Sequence, residues 1–301
     1  MQLRGQERFG DGLAGVLMAL PALLLLFLFV ALPFLGAIAL SLSDLRLGSP
    51  GAARFVGTDS YGALFADPVF WSALRNNLIF ALAIVPLQTA LALALALLLD
   101  RKLPGIAFFR GLFFLPVLFP MALVAVIWQL IYAPGPDGPL NVIFSYMSLG
   151  FWEPVDFLRN PYFALPALML LSIWQGVGFQ MLILLAGLQG IPKERYEAAR
   201  IDGSSAWQRF VHITLPGLRR PLLFVVLLTA ILAFRLFDQV QILTQGGPED
   251  TTTTLMYEAV KRAFNRGQIG SASALTVVFF VLVLLVTVLQ RMLLRDREAV
   301  R

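Results

Sequence analysis

The chain alternates between long apolar runs and short polar segments. A helix rises about 1.5 Å per residue, so about 20 apolar residues cross a hydrocarbon layer of about 30 Å. Six runs reach that length: Leu13–Leu40, Leu78–Leu99, Phe108–Ile131, Phe163–Leu188, Pro221–Leu243 and Ala272–Leu294. Their Leu-rich blocks predict α-helices, because barrel strands would show alternating segments of about 10 residues. We therefore expect an all-α polytopic membrane protein of six transmembrane helices, forming one domain over residues 1–301.

The first run allows two interpretations. Arg4 and Arg8 precede it, and Ala37-Ile38-Ala39 resembles the cleavage site of a signal peptide. Its apolar part exceeds the usual length of a signal sequence, and five more runs follow, which favours a retained span. Pro21 and Pro33 predict bends in that span.

Composition agrees with a lipid environment. The chain is 58% hydrophobic and 14% charged, with a mean hydropathy of +0.80. It has no cysteine and one histidine, His212, which excludes disulfides, thiolate metal sites and histidine clusters. In a soluble protein, the net charge of +5 would suggest binding to nucleic acid. Here the distribution of the basic residues matters more than their sum, and we expect no nucleic-acid partner.

The Lys and Arg residues predict the orientation. With both termini inside, 15 of the 23 fall on the cytoplasmic side, seven fall outside and Arg235 lies within a run. Cytoplasmic loops carry an excess of Lys and Arg, so this bias predicts an N-in, C-in topology. The cytoplasmic residues are Arg4, Arg8, Arg101, Lys102, Arg110, Lys193, Arg195, Arg200, Arg209, Arg219, Arg220, Arg291, Arg295, Arg297 and Arg301.

The segment 190–217, between the fourth and fifth runs, is unusually polar and charged. Residues 193–202 favour a helix, with Pro192 before it and Gly203 after it as a stop residue. Ser205-x-x-Gln208 then offers a capping box for a second short helix, which Pro216 and Gly217 would end. Such a segment could lie on the lipid headgroups as an amphipathic surface helix, or it could bind a cytoplasmic partner.

This segment resembles the EAA loop of the permease subunits of bacterial and archaeal ABC importers. The resemblance rests on Glu197-Ala198-Ala199, on Gly203, and on Ile213-x-Leu215-Pro216 at the right spacing. Three further stretches resemble the carbohydrate branch of that family, which includes maltose, trehalose and glycerol-phosphate permeases. They are Phe55-Val56-Gly57-Thr58-Asp59-x-Tyr61, Asp67-Pro68-x-Phe70-Trp71-x-Ala73-Leu74-x-Asn76, and Leu243-Thr244-x-Gly246-Gly247-Pro248 followed by Thr252-Thr253-Thr254.

The resemblance implies a set of partners at the cell membrane. They are a second homologous permease in a heterodimer, a dimeric ATP-binding subunit, and an extracytoplasmic solute-binding protein. The chain has no G-x-x-x-x-G-K-[ST] sequence, so we expect no cofactor on it, with ATP and Mg used by the partner and no enzyme activity of its own. The segment 190–217 would then be a coupling loop, whose ATPase contacts are Glu197, Ala198, Ala199, Asp202 and Gly203.

The fourth run contains Trp174-Gln175-Gly176-Val177-Gly178-Phe179, which is unusual in a membrane helix. Sugars bind to aromatic faces and to amide groups. In the family that this chain resembles, the solute-contact positions correspond to Gln175, Gly176 and Phe179 of this sequence. The alternative is structural: small glycines permit close helix packing, and Gln175 links helices by hydrogen bonds.

The fifth run holds two ionisable residues, Arg235 and Asp238. At a spacing of three residues they could pair on one helix face near the membrane surface, or they could form a gate. The family's contact positions in this run fall on Leu232, Ala233 and Leu236, which carry no polar side chain here. The resemblance therefore implies little direct hydrogen bonding from this run, with more of the site supplied by the partner permease.

Two other classes of protein compete with a permease subunit. An ion-coupled secondary transporter would need buried acidic groups, and Asp238 is the one acid within a run. An intramembrane enzyme would need a catalytic set at membrane depth, and the runs contain none. Within the importer class, cationic groups are scarce in the runs, which favours a neutral sugar of the maltose or trehalose type over glycerol phosphate.

Overall fold

The computed structural model describes residues 16–48, 53–101 and 103–293, with the side chain of residue 293 omitted. Within those ranges the chain is helical, and its extended pairing is a single bridge between Ser43 and Phe55. The helices in chain order are α1 (Val16–Ser41), α2 (Asp59–Ala66), α3 (Pro68–Leu99), α4 (Ile106–Leu118), α5 (Met121–Ile131), α6 (Pro139–Met147), α7 (Ala164–Gln189), α8 (Lys193–Ile201), α9 (Ala206–Gly217), α10 (Arg219–Phe234), α11 (Leu255–Val260) and α12 (Ile269–Leu293).

Four helices in the described ranges are long and apolar enough to cross a membrane by themselves: α1, α3, α7 and α12. Two bent pairs bring the number up to six if each pair is one span: α4 with α5, bent by 101°, and α9 with α10, bent by 67°. A polytopic all-α membrane protein is therefore confirmed. The exact count of six spans and the orientation stay predictions.

Two of the expected continuous spans are broken. The run Phe108–Ile131 bends at Phe119–Pro120, because Pro120 has no backbone N–H to donate and disfavours a helical conformation at the residue before it. The run Pro221–Leu243 is also wrong as one helix: α10 ends at Phe234, and helical structure resumes only at residue 238. A π-helical turn then follows at Val240–Thr244.

The described part of the chain divides into two compact units. The first joins the described parts of 1–66 to residues 259–278. It contains α1, which runs as one helix through Pro21 and Pro33, with a π-helical segment at Phe27–Ala31. In this unit the N–H of Leu47 donates to the carbonyl of Gly267 at 2.7 Å, and the N–H of Gly270 donates to that of Leu45 at 3.0 Å.

The second unit consists of residues 67–258 and the described part of 279–301, and it holds both candidate sites. Helix α3 begins at Pro68, where the missing N–H of proline costs nothing, and the Asp67 carboxylate caps it by accepting from the N–H of Val69 at 2.9 Å. Helix α7 packs against α3 and contributes to two separate apolar clusters. One cluster surrounds Leu168 and Leu171, and the other surrounds Met181 and Leu184. Ser172, Gln175 and Gln180 lie between these two pairs along the helix.

Candidate solute cavity and coupling loop

A cavity of about 270 Å³ lies in the second unit, beside the apolar cluster of Leu168 and Leu171. We call it the amide cavity, because glutamine side chains from several helices reach it. It is lined by Phe80, Ile84, Gln88, Met121, Ser172, Gln175, Gly176, Gln180, Thr229, Leu232, Ala233, Arg235, Leu236, Asp238 and Gln239.

Seven of the eight pathway and gate residues expected from the sequence line this one cavity. They are Gln175, Gly176, Leu232, Ala233, Arg235, Leu236 and Asp238. Phe179, the eighth, does not line it; its side chain is 39% exposed on α7. The cavity thus collects residues from α7 and from the broken fifth run, although their role toward a solute stays a prediction.

Sequence reasoning missed five polar residues of the cavity wall: Gln88, Ser172, Gln180, Thr229 and Gln239. All except Ser172 are buried. The Gln180 amide donates to the Thr229 hydroxyl at 2.7 Å, and the Gln239 amide donates to the Ser172 hydroxyl at 2.8 Å. The signal that could have found them is the cost of burying an amide in an apolar run, which is offset only by a hydrogen-bonding partner or a polar cavity.

Gly176 and Gly178 of α7 are required by close packing, as the structural alternative predicted. A Cβ at residue 176 would collide with the side-chain amide of Gln88, and one at residue 178 would collide with the backbone carbonyl of Phe113. The Gln175 amide donates to the carbonyl of Phe119 at 3.2 Å, at the break between α4 and α5. Gln175 and Gly176 therefore serve helix packing and also border the cavity.

The expected pairing of Arg235 and Asp238 on one helix face is wrong. Helix α10 ends before Arg235, and both residues are exposed and line the cavity. Neither side chain takes part in a salt bridge with another described residue. A spacing of three residues brings two side chains together only within a helix, and residues 235–237 are not helical.

Side chains from distant parts of the chain stabilise this break in the helix by hydrogen bonds. The Asn77 amide donates to the carbonyl of Phe234 at 3.3 Å and accepts from the N–H of Leu255 at 2.9 Å. The Thr254 hydroxyl donates to the carbonyl of Leu236 at 2.7 Å. These bonds satisfy carbonyls that would otherwise have bonded within a continuous helix, so the break carries little penalty in an apolar environment.

The expected helix–turn–helix of segment 190–217 is present. Helix α8 follows Pro192, and Gly203 takes a left-handed conformation with φ of +78°. The N–H of Ser204 bonds to the carbonyl of Ala199 at 2.9 Å, which closes the helix end. The predicted capping box at Ser205 and Gln208 is confirmed, with bonds of 3.2 and 2.7 Å. The Tyr196 and Thr214 hydroxyls share a 3.0 Å bond that ties α8 to α9.

The coupling loop exposes the residues that were expected to contact an ATPase. Glu197, Ala198, Asp202 and Gly203 are exposed, and Ala199 is half-buried. Two apolar side chains on the same loop, Ile201 at 87% and Trp207 at 70%, are also open. Exposed apolar groups of this size mark a surface for a protein or a membrane. The geometry is compatible with either interpretation given by the sequence.

Comparison with known proteins decides the class. Residues 88–298 match the family model of the binding-protein-dependent transport system inner membrane component. The chain is 35% identical over 286 residues to the trehalose/maltose transport system permease protein MalF of Thermococcus litoralis, which covers 95% of each chain. It is 34% identical over 279 residues to the lactose transport system permease protein LacF of Rhizobium radiobacter, covering 91% of each.

The fold is also found among solved structures. A chain of a bacterial ABC transporter involved in the import of the acidic polysaccharide alginate matches with a TM-score of 0.81 at 20% identity, over 98% of this chain and 99% of that one. The chain described here belongs to the family of binding-protein-dependent transport system inner membrane components, the permease subunits of ABC importers. The resemblance seen in the EAA-type loop is thereby confirmed, and the protein is a multi-pass membrane protein.

Proposed function

We propose that this chain forms half of the transmembrane pathway of an ATP-driven, binding-protein-dependent importer of neutral sugars. The preferred solute is a di- or oligosaccharide of the maltose or trehalose type. The observation that carries the proposal is the amide cavity, a polar site inside the membrane domain whose hydrogen-bonding groups are mostly uncharged. Relatives named for trehalose/maltose and lactose transport support the same solute class.

The chemistry of the amide cavity suits hydroxyl groups. Each glutamine amide offers donors and an acceptor, and each serine or threonine hydroxyl can do both. The Gln180 Oε1 atom is buried without a hydrogen-bond partner at the cavity wall, and the Gln88 side chain lies against Gly176. An unpaired buried acceptor is stabilised when a sugar hydroxyl donates to it, and the apolar walls of Phe80 and Leu236 fit the C–H faces of a sugar ring.

A phosphorylated solute such as glycerol phosphate is the less favoured candidate. Arg235 is the one basic residue of the cavity wall, and Asp238 lies at the same wall. A phosphate group would gain from the guanidinium but would be repelled by the carboxylate. Neutral sugars meet no such opposition.

The coupling loop supplies the proposed link to ATP hydrolysis on the cytoplasmic side. Because this chain contains no phosphate-binding loop, the energy comes from a dimeric ATP-binding partner that binds α8 and the exposed turn at Gly203. A homologous permease subunit completes the pathway, and an extracytoplasmic binding protein delivers the solute. In this arrangement Glu197 pairs with a basic or hydroxyl group of the ATPase, while Ala198 and Ala199 allow close approach of its backbone.

The test is transport by the whole complex. The chain is co-expressed with its partner subunits, purified, and reconstituted in liposomes with ATP inside and the cognate binding protein outside. We expect uptake of labelled maltose or trehalose that stops without ATP or binding protein. Uptake of glycerol phosphate with no uptake of either sugar would overturn the assignment of the solute. Failure of the chain to purify with an ATPase would overturn its place in the complex.

A further inference from the structure

A second cavity, of about 550 Å³, lies beside the coupling loop. We call it the basic cavity, because four of its lining side chains are cationic: Arg101, Arg110, Lys193 and Arg200. Asp100 and Glu197 also line it, with Leu188, Gln189, Ile191 and Tyr196. It thus joins the end of α3 and the start of α4 to the end of α7 and to α8.

The cations of the basic cavity are not neutralised within the described part of the chain. None of the four takes part in an ion pair there, although two carboxylates border the same space. Arg110 is the most constrained of them: its Nη2 donates to the carbonyl of Leu99 at 2.7 Å, while its Nε is buried without a hydrogen-bond partner. A buried guanidinium N–H with no acceptor is costly, and it is satisfied by a ligand that carries oxygen atoms.

The surroundings of Arg110 indicate what kind of ligand this is. On α4 the flanking side chains Phe108, Phe109 and Leu112 are 70%, 50% and 51% exposed. They offer an apolar surface for an acyl chain next to a basic cavity that would hold the headgroup. Arginine binds phosphate oxygens strongly and in a fixed geometry, and basic pockets between transmembrane helices on the cytoplasmic side bind anionic headgroups.

We propose that the basic cavity binds a phosphate group, supplied by the headgroup of an anionic phospholipid of the cytoplasmic leaflet or by soluble phosphate. Arg110 and Arg101 hold the group from the α3–α4 side, and Lys193 and Arg200 hold it from α8. Since Tyr196 and Glu197 of α8 form part of the same wall, occupancy links the membrane leaflet to the coupling loop. The inference uses the orientation given under the proposed function, but the binding itself depends neither on the sugar nor on the ATPase.

The test uses the complete transporter in nanodiscs of phosphatidylcholine, with or without phosphatidylglycerol. Native mass spectrometry measures lipid retention, and calorimetry with inorganic phosphate in pure phosphatidylcholine discs measures the soluble source. We expect selective retention of phosphatidylglycerol that weakens about fivefold in Arg110→Gln and in Arg101→Gln, the effect of about one basic group near a charged membrane surface. The matched control is Arg75→Gln, an exposed arginine at the other end of α3, which keeps full retention.

Three results decide the proposal. Retention of phosphatidylglycerol that depends on Arg110 supports a lipid source, and phosphate binding with the same dependence supports a soluble source. Binding of neither probe, or equal binding by Arg110→Gln and Arg75→Gln, overturns the site. ATP hydrolysis stimulated by the solute-loaded binding protein, measured in pure phosphatidylcholine discs, reports on the importer function separately, so that the two proposals can fail independently.

Discussion

Asn77 and Phe234 are 157 residues apart in the chain, and the Asn77 amide donates a hydrogen bond of 3.3 Å to the Phe234 carbonyl. Phe234 is the last residue of α10, and the next three residues carry Arg235 and Leu236 to the amide cavity. The same Asn77 side chain accepts from the N–H of Leu255. One buried amide thus ties the end of α10, next to a wall of the candidate solute site, to the start of α11.

The first prediction concerns this amide. Asn77→Ala removes two buried hydrogen bonds and leaves a carbonyl and an N–H unsatisfied, so we expect destabilisation of about 2–4 kcal/mol. Thermal unfolding of the purified complex, followed by tryptophan fluorescence, measures it. Asn265→Ala changes an exposed asparagine and serves as the control. If the Asn77→Ala complex unfolded at the same temperature as the control, the break in the fifth run would be stable without this amide.

The second prediction separates the roles of Gly176 and Gly178 in α7. In Gly176→Ala the methyl group displaces a flexible side chain, Gln88, so folding should persist while the affinity for the solute falls about fivefold, the effect of about one net hydrogen bond. In Gly178→Ala the methyl group meets the backbone of Phe113, which cannot move aside, so we expect a loss of about 1–3 kcal/mol of stability.

Uptake kinetics and thermal unfolding of both glycine variants provide the measurement. Gly111→Ala is the control, because nothing lies within 4 Å of a Cβ at that position. If Gly176→Ala melts early and transports with unchanged KM, Gln88 is a packing residue and does not serve the solute.

The third prediction concerns the amide cavity directly. Gln180→Leu removes the donor to the Thr229 hydroxyl and the buried acceptor that we assign to a sugar hydroxyl. We expect the KM for sugar uptake to rise about three- to tenfold, since a net hydrogen bond contributes about 0.5–1.5 kcal/mol. Gln241→Leu, at an exposed position on the same side of the broken run, should leave KM unchanged. Equal KM values in the two variants would remove Gln180 from the solute site.

The fourth prediction concerns coupling. Glu197→Lys reverses the charge of an exposed residue on α8, and we expect ATP hydrolysis by the partner to continue while sugar uptake falls to background. Glu194→Lys, in the first turn of the same exposed helix, is the matched control for a change of charge. Sugar uptake and ATP hydrolysis measured in the same liposomes give the number of solute molecules transported per ATP hydrolysed. An unchanged ratio in Glu197→Lys would sink the proposed role.

The fifth prediction concerns the turn after α8. Gly203 has a φ of +78°, and proline is fixed near −65°, so Gly203→Pro must reshape the turn. We expect insertion in the membrane to persist, because the turn lies outside the spans, and association with the ATPase to be lost. Co-purification with the ATPase measures this loss. Gly48→Pro imposes the same conflict at a φ of +79° in the other compact unit, and it should leave the association intact.

Much of the architecture could be predicted from the sequence. Apolar runs long enough to span a bilayer fix the class of fold, because unpaired backbone groups are not tolerated in hydrocarbon. The helices of the coupling loop could also be predicted. Pro192, Gly203 and the Ser205 capping box determine helix ends through interactions with residues close in sequence, so local sequence was sufficient to place α8 and α9. The family, too, followed from residues in this loop.

The tertiary structure decided where the spans break and which polar groups meet. The run Pro221–Leu243 is long enough for one spanning helix, but its break depends on hydrogen-bond donors supplied to its carbonyls by Asn77 and Thr254, which lie elsewhere in the chain. Gln88, Gln180 and Gln239 likewise carry no short-range signal that assigns them to one cavity. Each isolated amide in an apolar run indicates that a partner must exist, and only the packing of α3, α7 and α10 determines which partner it finds.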